Sequence, residues 1–286
     1  MRRLRVVRGI ANRWFILRRY AAAAPSALAL PQWLFLGALR SRLLGGSGRF
    51  ATRSNGKARD LRIRIGQKSG EYVIVDTSSF SELDVLQEVL VDRIYPLDRI
   101  NFSPTMILDC GANIGFFSSL CRLYFPKAEI ICWEPDSRNF ARLVKQPMLQ
   151  SEFVRCIKSA VSNADGEATL IGSGTGCTVS RSVAGADLRV GTIDLRRWIE
   201  LNCKPPFLIK MDIEGHEVEV VDALVGAWKG PCALFLETHA ENGRDERILS
   251  QLRSAGFDLT QLRSHNLPGD HRVFKEYLGE LGMKAV

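Results

Sequence analysis

Three groups of residues have the types and spacing to do chemistry. The first is Asp109-Cys110-Gly111-Ala112-Asn113-Ile114-Gly115, which follows the apolar run from Thr105 to Leu108 and precedes another from Phe116 to Phe125. A buried strand, a glycine loop and a helix in that order form the crossover that holds a nucleotide-type cofactor. In such a loop Gly111 lets a ligand come close to the backbone and Gly115 lets the helix pack close to the strand. The N–H groups that open the helix can receive a carboxylate or phosphate. A tight turn needs glycine for its own sake, so the loop alone decides little. The second group decides more. Ile130-Ile131-Cys132-Trp133 reads as the next strand and ends at Glu134, nineteen residues beyond Gly115, where such folds keep the acid that accepts both ribose hydroxyls. Pro135 stops the strand, so the carboxylate stays at the sheet's carboxyl edge.

The third group is Lys210-Met211-Asp212-Ile213-Glu214-Gly215-His216-Glu217, with Glu237 and His239 beyond it. Pro206 to Ile209 reads as a strand, so Asp212 emerges at the same edge as Asp109, and Gly215 allows a turn into a helix that starts with acids. Glu214 and Glu217 suit a helix start equally well. Leu234-Phe235-Leu236 carries Glu237 to the next strand end, and His239 follows two residues later. Asp212 and Glu214 would then form a polar wall in the cleft, with His216 or His239 as general base. Asp212, Glu237 and His239 could also take Mg²⁺, but single acids at strand ends are common and no metal is expected. His265 has no visible partner and reads as a surface residue.

The elements that must position these groups follow from periodicity. From residue 105 onward strands near 105–109, 129–133, 153–158, 206–211, 232–237 and 256–262 alternate with helices near 115–125, 137–146, 194–201, 216–227 and 244–255. That order predicts an α/β fold: a doubly wound, mainly parallel, Rossmann-like sheet over residues 105–286. A further hairpin is expected between Glu167 and Val190. Ahead of the sheet, Leu61-Arg62-Ile63-Arg64-Ile65 and Tyr72-Val73-Ile74-Val75 alternate around a turn at Lys68-Ser69-Gly70. Ser81 to Arg93 places Leu83, Leu86, Val89 and Leu90 at helical spacing. Residues 60–104 are therefore read as a hairpin and helix packing on the main domain.

Charge sets residues 1–59 apart. The whole chain carries a formal +8, but these residues hold twelve Arg, one Lys and no acid, so they account for +13 and leave 26 basic against 31 acidic groups, or −5, on the rest. The basic charge belongs to a leader, which makes nucleic acid an unlikely partner of the main domain. Tyr20 to Leu39 is uncharged and twenty residues long, a spanning length, but Pro25, Pro31 and Gln32 interrupt it. The leader is read as a flexible arm, dispensable for folding, that can lie on an anionic membrane or a partner through residues 1–44, with Gly45-Gly46-Ser47-Gly48 as a hinge. The seven cysteines stand at least eleven residues apart and form no C-x-x-C pair, which suits reduced thiols, a cytoplasmic location and no structural zinc.

Leu108 to Gly115, Trp133-Glu134-Pro135-Asp136, Ala160-Val161-Ser162, Gly191-Thr192-Ile193-Asp194, Ile209 to Glu217 and Leu236-Glu237 together resemble, in order, the motifs of the FkbM-type methyltransferases. The resemblance spans about residues 61 to 262, and the block Lys-x-Asp-x-Glu-Gly-x-Glu is its most specific part. It implies a class I fold and S-adenosylmethionine as cofactor. Asp109, Gly111, Asn113 and Glu134 would contact that cofactor, the loop through Ala112 and Gly115 would carry its methionine carboxylate, and Ala160 would lie near adenine. It also implies transfer to oxygen on a small molecule, sugar or glycolipid. Cys110 and His216 depart from the small or aromatic residues usual at their positions, and His216 puts local substrate contacts in question.

Two other functions share part of the pattern. A nicotinamide-dependent oxidoreductase would use the same loop and ribose acid, but Asn113 stands where its second glycine belongs. A non-catalytic protein could act through the basic leader. RNA methylation is weakened because Trp14, Phe15 and Tyr20 are the only aromatics interleaved with the leader's first basic run.

Overall fold

Met106–Cys110, Glu129–Trp133, Phe207–Met211 and Cys232–Thr238 are short, apolar and largely buried on both faces, which is the signature of strands in a parallel sheet covered by helices, while Val154–Ile157, at the sheet's edge, is only partly buried. The computed structural model describes residues 15–45, 59–171, 178–180, 189–224, 226–228, 230–239, 244–266 and 273–281. These fall into two compact units, one made of residues 1–93 with 145–148 and the other of 94–144 with 149–286.

In the larger unit, β3 (Met106–Cys110), β4 (Glu129–Trp133), β5 (Val154–Ile157), β10 (Phe207–Met211) and β11 (Cys232–Thr238) run parallel. With β12 (Asp258–Asn266) and β13 (Val273–Leu281) they form a seven-stranded sheet in the order β12-β13-β11-β10-β3-β4-β5. β13 is antiparallel to both of its neighbours. The helices α4 (Phe116–Tyr124), α5 (Ser137–Leu143), α6 (Leu195–Asn202), α7 (Glu217–Leu224) and α8 (Arg244–Ser254) connect the strands. The fold is thus the α/β, mainly parallel sheet expected. Its core gathers Leu108, Ile131, Trp133, Ile209, Met211, Val220, Leu234 and Ile248. Ser264 to Asn266, beyond the strand expected near 256–262, form the end of β12, and the side chain of His265 lies outside the described residues.

A second sheet of four strands, β6 (Ala160–Ser162), β7 (Gly166–Ile171), β8 (Thr178–Ser180) and β9 (Arg189–Asp194), occupies the region of the expected hairpin. β7 is antiparallel to both β8 and β9, and β6 joins β9 in parallel. Residues 94–104 belong with the main unit rather than with the hairpin. The reason is Tyr95, whose ring meets Phe117 and Phe235 edge-on at 5.0 and 5.6 Å.

The smaller unit corrects the reading of the leader as a flexible arm. Residues 15–23 are helical (α1), and α2 (Leu30–Gly45) follows the break at Pro25. Tyr20, Trp33 and Leu36 are buried. Trp33 donates its indole N–H to the Arg64 carbonyl at 2.9 Å, on β1 (Asp60–Arg64). Arg40 pairs with Asp84 in α3 (Phe80–Leu86) and reaches Gln87 at 3.2 Å, while Arg19 pairs with Asp92. Two of the leader's arginines are therefore neutralised by acids that sequence reading left unassigned. Residues 1–14 and the Gly46-Ser47-Gly48 part of the expected hinge lie outside the described residues.

Antiparallel to β1, β2 (Tyr72–Asp76) carries its outward backbone groups to side chains. The Gln146 amide accepts from Ile74 N and donates to Ile74 O, both at 2.9 Å, and Glu82 accepts from Asp76 N at 2.7 Å.

Candidate active site

The glycine loop is shaped by left-handed backbone at three positions: Gly111 (φ 80°), Asn113 (φ 51°) and Gly115 (φ 86°). A Cβ on Gly111 would lie 1.9 Å from the Asp212 carbonyl oxygen. The missing side chain thus makes room for the loop after β10. Gly111 N and Ala112 N both donate to the Trp133 carbonyl, at 3.1 and 2.8 Å, which ties the loop to the end of β4. Gly115 caps α4.

Glu134 sits at that strand end and is buried. Each carboxylate oxygen accepts one backbone N–H: Oε2 from Asn113 and Oε1 from Asp136, both at 2.8 Å. Burial pushes the carboxyl up to about 7, against the pull of those two N–H groups. Its role as a clamp on the glycine loop was invisible to spacing arguments, which assigned it only to a ligand.

Asp109 has no exposed surface. Its Oδ2 accepts from Ser118 Oγ at 2.6 Å and its Oδ1 lies 3.7 Å from Lys210 Nζ. Burial raises its pKa although Lys210 and Ser118 oppose the rise. A carboxylate so enclosed shapes the loop from beneath, which differs from the direct cofactor contact expected of it. Ala160, on β6, is buried with Leu170 and Val190 in a cluster of its own.

Lys210 is the residue the sequence reading passed over. It pairs with Asp109 in the register of β10 and β3, donates to the Gly111 carbonyl at 2.6 Å and stands 3.2 Å from Asp212 Oδ2. Burial would lower its pKa, but Asp212 and Asp109 outweigh burial and raise it. A signal existed, because a lysine inside the buried strand Phe207–Met211 must find anionic partners. Through Lys210 the glycine loop and the acidic end of β10 become one site.

Asp212, Glu214 and His239 come together there. One ligand-type atom from each lies within 4.8 Å of the other two. Asp212 and Glu214 keep about a quarter of their side-chain surface, and His239 is buried. Burial would raise the Asp212 carboxyl, yet Lys210, His239 and the Tyr95 hydroxyl at 3.5 Å bring it below its usual value. Burial would lower His239, but its hydrogen bond to Glu217 and the charges of Glu217, Asp212 and Glu214 hold it up at about 10. Glu237, weighed from sequence for a metal, also faces this histidine at 3.6 Å. Glu217 is fully buried beneath it. His216 is placed elsewhere: its ring meets Ser162 Oγ at 3.2 Å and Glu219 at 3.6 Å. Those two contacts set its ring against β6 and α7, while His239 is the histidine that faces Asp212 and Glu214.

The sequence profile of the methyltransferase FkbM domain matches residues 109–259, from the end of β3 into β12. The chain belongs to the FkbM methyltransferase family. It is an S-adenosylmethionine-dependent methyltransferase. Among the relatives of this FkbM-family enzyme is the hexuronic acid methyltransferase AglP of Haloferax volcanii, 24% identical over 245 residues that cover 84% of this chain and 92% of that one. The methyltransferase sdnD of Sordaria araneosa is 26% identical over 223 residues, 64% of this chain and 85% of its own. Solved structures similar to it include M. jannaschii TYW2 in complex with S-adenosylmethionine, with a TM-score of 0.42 and 15% identity, covering 80% of this chain and 89% of that one.

Proposed function

We propose that this enzyme methylates a hydroxyl oxygen of a sugar or other small-molecule acceptor. The observation that carries the reading is the junction of two parts. The Asp212–Glu214–His239 cluster adjoins the glycine loop, with Lys210 Nζ on the Gly111 carbonyl and the Asp212 carbonyl filling the space a Gly111 side chain would take. The hexuronic acid named for AglP favours a sugar acceptor.

The cofactor fits the loop by a count of acceptor sites. A carboxylate offers about four lone-pair positions, and the two backbone N–H groups on Glu134 use two, leaving capacity for two ribose hydroxyls. Asn113, Ala112 and the helix start after Gly115 would hold the methionine end. When bound, S-adenosylmethionine supplies a methyl group on a sulfonium, ready for in-line displacement. The protein's part is to align an acceptor oxygen and receive its proton. The polar wall of Asp212 and Glu214 beside His239 is where that proton is received in this reading. His239, charged at neutral pH, steadies the negative charge that gathers on the acceptor oxygen.

The leader is assigned a peripheral role. Phe15, Leu28 and Phe35 are exposed on or between its helices, and Arg18 shares the first helix with Phe15. This suits contact with an anionic membrane from the cytoplasmic side. No described helix is long and apolar enough to cross a membrane.

The test is a panel of hexuronic acid glycosides, neutral sugars and non-sugar alcohols, scored by release of S-adenosylhomocysteine and by mass of the product. Methyl ethers on a sugar hydroxyl are expected. Methyl esters, N-methyl products or turnover confined to nucleic acid would sink the reading.

A further inference from the structure

Four carboxylates crowd a single imidazole at the carboxyl edge of β10 and β11. His239 Nε2 stands 3.5 Å from Glu214 Oε2, 3.6 Å from Glu237 Oε1 and 3.7 Å from Asp212 Oδ1. On the other side of the ring, Nδ1 is 2.9 Å from Glu217 Oε1. That oxygen also accepts the backbone N–H groups of Ile213 and Gly215, at 3.2 and 3.1 Å, so Glu217 is fixed before it meets the histidine. Nε2, on the far side of the ring from Glu217, thus faces three anionic oxygens. That arrangement is costly unless a cation lies among them.

A proton on the ring is one such cation, and a divalent ion that displaces it is the other. Asp212, Glu214 and His239 each offer a ligand atom within 4.8 Å of the other two. Neighbouring ligands of an octahedral ion with bonds of about 2.1–2.5 Å lie roughly 3.0–3.5 Å apart, so the 3.5 and 3.7 Å from Nε2 to Glu214 and Asp212 need only a small contraction to close on an ion. The second observation is independent of that spacing. A metal-ligating histidine characteristically gives its other ring N–H to a buried, hydrogen-bonded carboxylate, and Glu217 has that relation to His239. Asp212 is divided in the same manner, with Oδ2 toward Lys210 and the Tyr95 hydroxyl and Oδ1 toward the cluster.

We propose that Asp212, Glu214 and His239 bind a divalent cation, with Glu237 completing the shell and Glu217 orienting the histidine. One imidazole among carboxylates suits an ion of the Mn²⁺ type, which accepts both donor classes, better than a soft metal. The use of the ion, to hold the acceptor hydroxyl and make it more acidic, rests on the O-methylation reading above. Its binding does not.

The experiment is titration of the full chain, stripped with chelator, with MnCl₂ alone, following free Mn²⁺ by its electron paramagnetic resonance signal. One site per chain is expected, open to competition by Mg²⁺. Asp212→Asn and Glu214→Gln should each weaken it by about tenfold or more, and Glu217→Gln, which would touch no metal, by about tenfold to a hundredfold. Melting temperature checks that each variant is folded. If Glu217→Gln fails that check, the partly exposed Glu214 carries the test. Absence of a stoichiometric site in the wild type, or an unchanged site in folded Asp212→Asn and Glu214→Gln, overturns the proposal. Calorimetry with S-adenosylmethionine on the same samples separates the two readings. Cofactor binding without a Mn²⁺ site removes the metal alone, whereas a Mn²⁺ site without cofactor binding stands against the methyl-transfer reading of the cleft.

Discussion

Burial lifts the Glu134 carboxyl from 4.5 to about 7, and its ionised form offers ribose hydroxyls more acceptor sites than its protonated form. Cofactor binding should therefore favour the ionised form and release protons. Below pH 7 the dissociation constant should rise as pH falls, by up to about tenfold per pH unit, and above it should level off. The free protein is linked in the opposite sense. Its folded state holds that proton more tightly than the unfolded chain, so this group's contribution to stability is present below about 4.5 and is lost as pH rises through about 7. Calorimetric titrations between pH 5.5 and 8.5 check the first effect, which Glu134→Gln should abolish. At pH 8, Glu134→Ala should weaken cofactor binding by about 2–4 kcal/mol, roughly thirty- to a thousandfold. It should also lower the melting temperature, because Asn113 N and Asp136 N lose their acceptor. An affinity within about threefold of wild type in a folded Glu134→Ala protein would mean that the side chain serves the loop and not the ligand. The position of Glu134 was legible from its distance to Gly115. Its two backbone partners were not, since they depend on how the glycine loop bends back over β4.

At the scale of elements, β3 and β10 meet where a glycine on one strand end admits the backbone of the other. Gly111→Ala places a methyl 1.9 Å from the Asp212 carbonyl on a residue with φ of 80°. The left-handed backbone alone costs about 1–2 kcal/mol, which lowers melting by about 2–8 °C in a domain of this size, and relief of the clash must push Asp212 out of line. The expected outcome is joint loss of cofactor affinity and of turnover in a protein that still shows native circular dichroism. Intact turnover would disprove the coupling of the two loops. β3, β4, β10 and β11 were readable because each apolar run is short and ends at an acid. β6 was not, because Ala160-Val161-Ser162 is too brief for any period, and β13 was not, because its Lys275, Glu276 and Glu280 break the apolar pattern. The Asp212–Glu214–His239 grouping was anticipated in part from strand ends. The meeting of His216 with Ser162 was not, because it depends on the side to which the turn at Gly215 sends the ring.

For the molecule as a whole, the decisive departure from the sequence reading lies in residues 15–45. Arginine density and the absence of acids spoke for an arm, yet the partners of Arg19 and Arg40 reside more than forty residues away, at Asp92 and Asp84. Local composition cannot show such pairings. Removing the leader would uncover the hairpin face that Trp33 covers. Trp33→Ala should therefore destabilise the smaller unit by about 3–5 kcal/mol, measured by urea unfolding with the larger unit's cofactor affinity as a control. A loss under about 1 kcal/mol would restore the view of a dispensable arm.

The side chains that take the outward backbone groups of β2 have a consequence for the protein's conduct at high concentration. A two-stranded hairpin ordinarily offers a free margin on which a foreign chain can template itself. Here the Gln146 amide imitates a peptide unit against Ile74, and Glu82 takes the next outward N–H at Asp76. The margin is thus closed by side chains, which cannot pass the ladder on to a further strand. The hairpin is protected from recruiting copies of itself into fibres, and that protection vanishes with one amide, so Gln146→Ala should scatter light on standing where the wild type stays clear.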